Sequence, residues 1–264
     1  MKKLFSIIIL VIFSQFQLLN AFAGSDGEVE LSSKKNGQHE VKDCFETVNR
    51  GVFAFNQGLD KVIFKPLAKG YRKLPQPVRS GTSNVISNLG NVVTIPNNIL
   101  QGQIKDASMN SLRLIINSTL GIVGIFDVAS YYGIEKRDKE DYGQTLGTWG
   151  VSEGCYFVLP VLGPTTVRDS IGSLVNVIGG DAWYNVTVAN DTQYFNEADY
   201  YLSRAFSGVD FRAKNLESFD SLEKTSIDLY ASIRSLYLQD RQRKIQNIDV
   251  ATDTMNDDDW EEIE

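Results

Sequence analysis

Apolar residues recur along this chain at the three- and four-residue spacing of helices, with no convincing series of alternating strands. Val48, Val52, Phe55, Leu59, Val62 and Ile63 form one stripe; Met109, Leu112, Ile115, Ile116 and Thr119 form a second. Val167, Ile171, Leu174, Val175 and Ile178 form a third. Leu222, Ile227, Leu229, Tyr230, Ile233, Leu236 and Tyr237 form a fourth, assigned to the core. This pattern commits the chain to an all-α fold in a single domain.

The breakers set the expected boundaries. Asp43 with Glu46 three residues on looks like a capping box, so the first helix should open at Asp43. Pro66 should end it, and Pro75 and Pro77 mark a turn. Residues 81–89 and 92–100 are apolar but interrupted by Asn, Gly and Pro96. A longer helix is expected over residues 106–120. Residues 142–154 are glycine-rich and read as loop. A short apolar run, 156–162, closes on Gly163-Pro164, and Thr165 should cap the helix that follows.

Residues 114–126 contain no charge and lie between Arg113 and Asp127. A spanning helix needs about 20 apolar residues, so this segment is too short to cross a bilayer. It suits either a buried core helix or a segment lying in a membrane interface. Composition alone favours the core.

The ends add a compartment. Lys2 and Lys3 precede an apolar run, and Ala21-Phe22-Ala23 follows, the layout of a cleaved secretory signal over residues 1–23. Residues 24–42 read as a flexible linker, 43–248 as the helical domain, and 249–264 as an acidic disordered tail. The net charge is −7. The tail holds eight acidic residues and no Lys or Arg, so the low pI describes the tail. The body has no basic surface of the kind that binds nucleic acid. His39 is the single histidine and sits in the linker, which gives weak support to acid–base or zinc chemistry. No metal site, cofactor or catalytic set is expected. Gly150-Val151-Ser152-Glu153-Gly154 matches the nucleophile elbow of α/β-hydrolases. That chemistry needs a strand before the serine, a helix after it and a later histidine, so the match reads as chance.

Several blocks together resemble the MlaA (VacJ) family of Gram-negative outer-membrane phospholipid-transport proteins. Asp43-Cys44-Phe45-Glu46, then Asn49-Arg50, is similar to its opening D-P-x-E-x-x-N-R. Pro75-Gln76-Pro77-Val78-Arg79 leads into Ser83-Asn84 and Asn88-Leu89. Arg113, Asn117-Ser118-Thr119-Leu120-Gly121, Gly124 and Phe126-Asp127 look like its apolar centre. Asp141-Tyr142-Gly143-Gln144, Leu159-Pro160, Gly163-Pro164 and Arg168-Asp169 follow in order. The likeness runs from about residue 43 to 169, with a fainter echo at Asp228-Leu229-Tyr230.

The resemblance implies amphipathic helices arranged as a ring around a central passage. It implies a protein of the periplasmic side of the outer membrane that associates with a porin. Such a protein takes misplaced phospholipid from the outer leaflet and hands it to a periplasmic lipid-binding carrier, with no covalent chemistry. It also moves residues 114–126 from the core toward the bilayer. Ser83, Asn84 and Asn88, with Asn117, Gly121 and Gly124, become candidates for the passage. Ser83, Asn84 and Asn88 equally suit helix caps.

Two departures from the family pattern carry expectations of their own. No cysteine stands near Gly24 for acylation, so no lipid anchor is expected. Cys44 and Cys155 both stand where the family has proline, which suggests neighbouring sites joined by a disulfide. A soluble periplasmic lipid chaperone and an esterase built on Ser152 remain the alternatives.

Overall fold

The computed structural model describes residues 41–247, and these fall within one compact unit. The expected signal segment, most of the linker, His39 and the acidic tail lie outside the described residues.

Eleven α-helices and one hairpin, with three short π-helical segments between them, follow in chain order among the described residues. They are α1 (Glu46–Leu59), α2 (Lys65–Tyr71), α3 (Gln76–Leu100), α4 (Ile104–Thr119), α5 (Val128–Tyr131) and α6 (Tyr142–Thr148). The hairpin pairs β1 (Tyr156–Leu159) with β2 (Gly163–Thr166), in antiparallel register from Tyr156 opposite Thr166 to Leu159 opposite Gly163. Then come α7 (Val167–Val175), α8 (Ala182–Tyr184), α9 (Glu197–Lys214), α10 (Leu216–Thr225) and α11 (Leu229–Ile245). The all-α expectation holds. The packed elements also close on themselves: α1 meets β1, β2 meets α11, α11 meets α6, α6 meets α3, α3 meets α9, α9 meets α2, and a π-helical turn returns to α1.

Several expected boundaries move. Asp43 and Glu46 form no capping box; Phe45 is the N-cap and makes no side-chain cap bond. The buried Asp43 carboxylate instead accepts from Asn49 Nδ2 at 2.7 Å and from the Tyr230 hydroxyl. Pro66 does not stop the helix. A π-helical turn, Asp60–Phe64, precedes it and places Pro66 at the start of α2, where a proline costs no backbone donor. Likewise 81–89 and 92–100 belong to one helix, and Pro96 sits inside it. The glycine-rich stretch begins with α6, capped by Asp141, which accepts from the Gln144 amide at 2.9 Å. Thr166, not Thr165, caps α7, accepting from the Asp169 amide at 3.2 Å.

The interior is unusually polar. Apart from two small apolar clusters, around Ala68, Tyr71 and Ala213 and around Tyr156, Val158 and Tyr230, the buried side chains are largely amides, hydroxyls and paired charges. The antiparallel pair α3–α4 buries Asn88, Asn91, Thr94, Asn97 and Asn98 against Asn110, Arg113 and Asn117. Asn110 Nδ2 donates to Asn98 Oδ1 at 3.0 Å, and Thr145 Oγ1 donates to Asn97 Oδ1 at 2.6 Å. The apolar residues of these helices point outward instead: Ile99, Leu112 and Ile115 are all exposed. The core assignment of residues 114–126 is thereby corrected, because Arg113 and Asn117 take the buried face. The fourth stripe is corrected in part: Tyr230 is core, but Ile227 and Leu236 are exposed. Among the described residues no helix is long and apolar enough to cross a membrane.

The predicted disulfide is present. Cys44 and Cys155 are bonded with Cα atoms 5.6 Å apart, tying the start of α1 to β1. Asn49 reinforces the tie, donating to the Tyr156 carbonyl at 3.2 Å and accepting from the Val158 amide at 3.0 Å. At the other end of the chain, Arg241 reaches Asp141 at 2.6 Å and Asp169 at 2.8 Å and so joins α11 to α6 and α7.

Candidate functional site

The segment after α4 forms an apolar tip. Leu120, Ile122, Val123, Ile125 and Phe126 are each between two-fifths and two-thirds exposed. Ile122 and Val123 both hold positive φ, 52° and 56°, a conformation that β-branched side chains disfavour. Polar groups beneath the tip hold this shape. The Gly124 amide donates to the Asn117 carbonyl at 2.7 Å, Asn84 Nδ2 donates to the Ile125 carbonyl at 3.1 Å, and Asn88 Nδ2 donates to Ser118 Oγ at 2.8 Å. Asn117 donates to Asp127 at 3.0 Å and accepts from the Ala129 amide at 2.8 Å. Arg113 pairs with Asp127 at 2.7 Å. Burial acts to raise the Asp127 carboxyl, but hydrogen bonds from Ser130, Lys136, Asn117 and Arg113 outweigh it and hold the group well below the ordinary carboxylate value. Gly121 and Gly124 are needed because a Cβ would stand 2.2 Å from the Phe126 carbonyl in one case and 2.8 Å from the Asn88 side chain in the other.

Beside the tip, α3 and α9 frame a groove of about 560 Å³ lined by Val78, Val85, Phe206, Ile125 and Phe126. Ile86, Leu89 and Ser203 line both this groove and a chamber of about 480 Å³. The chamber is amphipathic. Trp183 and Val93 give it apolar wall, and Lys139, Arg204, Lys214, Glu140, Asp181 and Asp210 give it charge. A third cavity of about 500 Å³, with Arg72, Arg79 and Lys136 in its wall, shares Ser83, Asp210 and Lys214 with the chamber. Apolar groove, charged chamber and basic mouth thus adjoin along α3 and α9, with wall residues in common.

Two chamber residues are electrically uncomfortable. Burial, with Arg113 and Lys136 nearby, pushes the Lys139 ammonium down to about 8. Its Nζ donates to the Ser87 carbonyl at 2.8 Å and to Asn91. Burial pushes the neighbouring Glu140 carboxyl up to about 7, against a hydrogen bond from Gln101 at 2.9 Å.

Ser83 and Asn84 line these cavities. Asn88, Asn117, Gly121 and Gly124 come together as the support of the tip. No helix-cap bond involves Ser83, Asn84 or Asn88. The charged chamber residues on α9, Arg204, Asp210 and Lys214, lie outside the strong part of the sequence resemblance, and no motif or helical spacing in the sequence marks them. Ser152 lies in exposed coil, with strand β1 after it and none directly before it, so the elbow context is lacking. Among the described residues no acidic, cysteine or histidine group could hold a metal ion.

A family model described as "MlaA lipoprotein" matches residues 41–244. The chain is 32% identical over 211 residues to the intermembrane phospholipid transport system lipoprotein MlaA of Haemophilus influenzae, covering 79% of this chain and 81% of that one. It is also 32% identical over 215 residues to the protein of the same name from Escherichia coli K12, covering 80% and 81%. An uncharacterized protein of Rickettsia bellii is 36% identical over 217 residues, 81% of each chain. A solved structure reported as the structural basis for maintenance of bacterial outer membrane lipid asymmetry aligns with a TM-score of 0.65 at 30% identity, covering 77% of this chain and 99% of that one. These names overturn the expectation that the protein has no lipid anchor: the relatives are lipoproteins. That expectation rested on the sequence alone, which has no cysteine beside residues 21–24. With a model spanning residues 41–244, relatives matched over four-fifths of their length and the same fold, the chain belongs to the MlaA lipoprotein family.

Proposed function

We infer that this protein is a component of intermembrane phospholipid transport that removes misplaced phospholipid from the outer leaflet of the Gram-negative outer membrane and so maintains its lipid asymmetry. The observation that carries the reading is the junction of apolar groove and charged chamber along α3 and α9, behind an exposed apolar tip. A phospholipid needs both surfaces at once: hydrocarbon wall for its chains and charge for its phosphate. The inverted polarity of α3 and α4 suits a protein whose outer solvent is lipid, since amides find partners inside the protein while Ile and Leu face hydrocarbon. Helices too short to span would lie in the interface or in one leaflet.

The chain is exported by residues 1–23 and works at the periplasmic side of the outer membrane. A porin is its partner within the membrane, and a soluble periplasmic lipid-binding protein takes the lipid onward. The amphipathic run and the family support this wider setting.

The test is fractionation of the expressed protein, detergent extraction and mass analysis of the lipid that travels with it. Outer-membrane protein carrying phospholipid is expected. Soluble protein carrying phospholipid would instead support a periplasmic chaperone, and protein carrying none would refute the transport reading. Ester hydrolysis lost on Ser152→Ala would be required before an enzyme reading could return.

A further inference from the structure

Arg204 and Lys214 both line the chamber, and both are tethered in the same way. Arg204 Nη2 donates to Asp181 at 2.6 Å, and Lys214 pairs with Asp210 at 2.8 Å. In each pair the acid is buried, with side-chain exposure of 1% and 8%, while the cation is open, at 52% and 57%. The carboxylates are therefore fixed behind the wall and the cations stand in front of it. Each acid is also locked by its own bonds: Asp181 accepts from the Trp183 amide at 2.9 Å, and Asp210 accepts from the Tyr71 hydroxyl at 3.1 Å. The cations are ten residues apart on α9, about 15 Å of helix rise, too far to hold one phosphate together. Lys214 stands where the chamber meets the basic mouth, and Arg204 shares the chamber with Trp183 and Ser203, next to the apolar groove.

We propose that α9 carries a two-station phosphate relay, in which Arg204 and Lys214 take the phosphodiester of a transported lipid in turn and Asp181 and Asp210 keep each grip weak. This rests on the transport reading above and adds which atoms read the lipid and why it is released. An untethered Arg or Lys beside a phosphate in a semi-enclosed cavity forms a strong charge-assisted bond. A passage needs binding that is favourable enough to admit the cargo and weak enough to let it go. A buried carboxylate at 2.6–2.8 Å supplies that restraint by competing with the phosphate for the same cation. Because the phosphodiester is common to glycerophospholipids, the relay admits that class and does not select among headgroups.

The relay makes a prediction of opposite signs. Asp181→Asn and Asp210→Asn keep an oxygen for the Trp183 amide and the Tyr71 hydroxyl but release the cations. Each should retain phospholipid about tenfold more firmly and slow its transfer, the worth of one charge-assisted contact. Arg204→Gln and Lys214→Gln should retain less. The full-length protein and the four variants, purified in detergent, would be compared by organic phosphate per chain. Transfer of a fluorescent phospholipid between vesicles of phosphatidylethanolamine and phosphatidylglycerol would give the rate, with melting curves as the check on folding. Opposite shifts in retention for the acid and cation variants establish the relay. Shifts in one direction, or none, while the wild type carries and transfers phospholipid, overturn it and leave transport standing. A wild type that neither carries nor transfers phospholipid removes both.

Discussion

Breaking the Cys44–Cys155 bond should cost this fold a large and calculable share of its stability. The bond closes a loop across a sequence separation of 111 residues. Closing a loop of that length removes about 4.8 kcal/mol of unfolded-chain entropy in the chain-entropy treatment. The folded side should change little, because Asn49 still clasps the Tyr156 carbonyl and the Val158 amide, and the Tyr156 amide still donates to the Lys42 carbonyl at 2.9 Å. The loss therefore falls on the unfolded ensemble. For a unit of this size 1 kcal/mol moves the melting point by about 2–4 °C, so Cys44→Ser/Cys155→Ser should melt roughly 10–20 °C lower. The denaturant slope should rise as well, because an unbridged chain expands further on unfolding. Circular dichroism melts and guanidinium titrations in detergent, with and without reductant, read both quantities. Melting points within about 2 °C, with unchanged slopes, would refute the argument.

Other perturbations separate the remaining ideas. Gly121→Ala would force a Cβ to within 2.2 Å of the Phe126 carbonyl, and Gly124→Ala would add a side chain at φ 92° against Asn88; each should cost about 2–4 kcal/mol, and an unchanged melt would show that the tip is not held as described. Ile122→Asp should leave the fold intact, because Ile122 is exposed, yet weaken membrane retention by about 2 kcal/mol, roughly thirtyfold, in a flotation assay. Retention equal to wild type would remove the tip from the membrane. Burial raises Glu140 from 4.5 to about 7, so over that window the folded state keeps a proton that the unfolded state has released. Stability should therefore fall as pH rises from about 4.5 to 7, by about 3 kcal/mol in all, and Glu140→Gln should flatten the fall. The depressed carboxyls of Asp127, Asp141 and Asp169 act below this window, and the depressed Lys139 acts only above about 8. A Glu140→Gln profile parallel to wild type would contradict the burial account.

Much of the architecture was legible because helical periodicity survives whichever side faces water. Val167, Ile171 and Leu174 mark α7 whether they point inward or outward. Direction was not legible for the same reason: Ile115 and Leu112 look like core until Arg113 and Asn117 are seen to occupy the buried face. Pro66 and Pro96 misled because a π-helical turn and a long helix absorbed them, a tertiary outcome that local propensity does not encode. Cys44 and Cys155 were readable as a pair through their shared departure from the family pattern. The chamber was not, since Asp181, Arg204, Asp210 and Lys214 are ordinary surface-type residues until α8 and α9 bring them to one cavity.

The inside-out pairing of α3 and α4, amides within and Ile and Leu outside, makes stability conditional on the surrounding medium. The seam amides are buried and keep protein partners, so in water the unfavourable term is the exposure of the outward Ile and Leu. In hydrocarbon that exposure carries no penalty, while the buried amides keep the same partners. A hydrocarbon surround would thus act as a setting agent, favouring the folded frame around groove and chamber without adding a single contact to it.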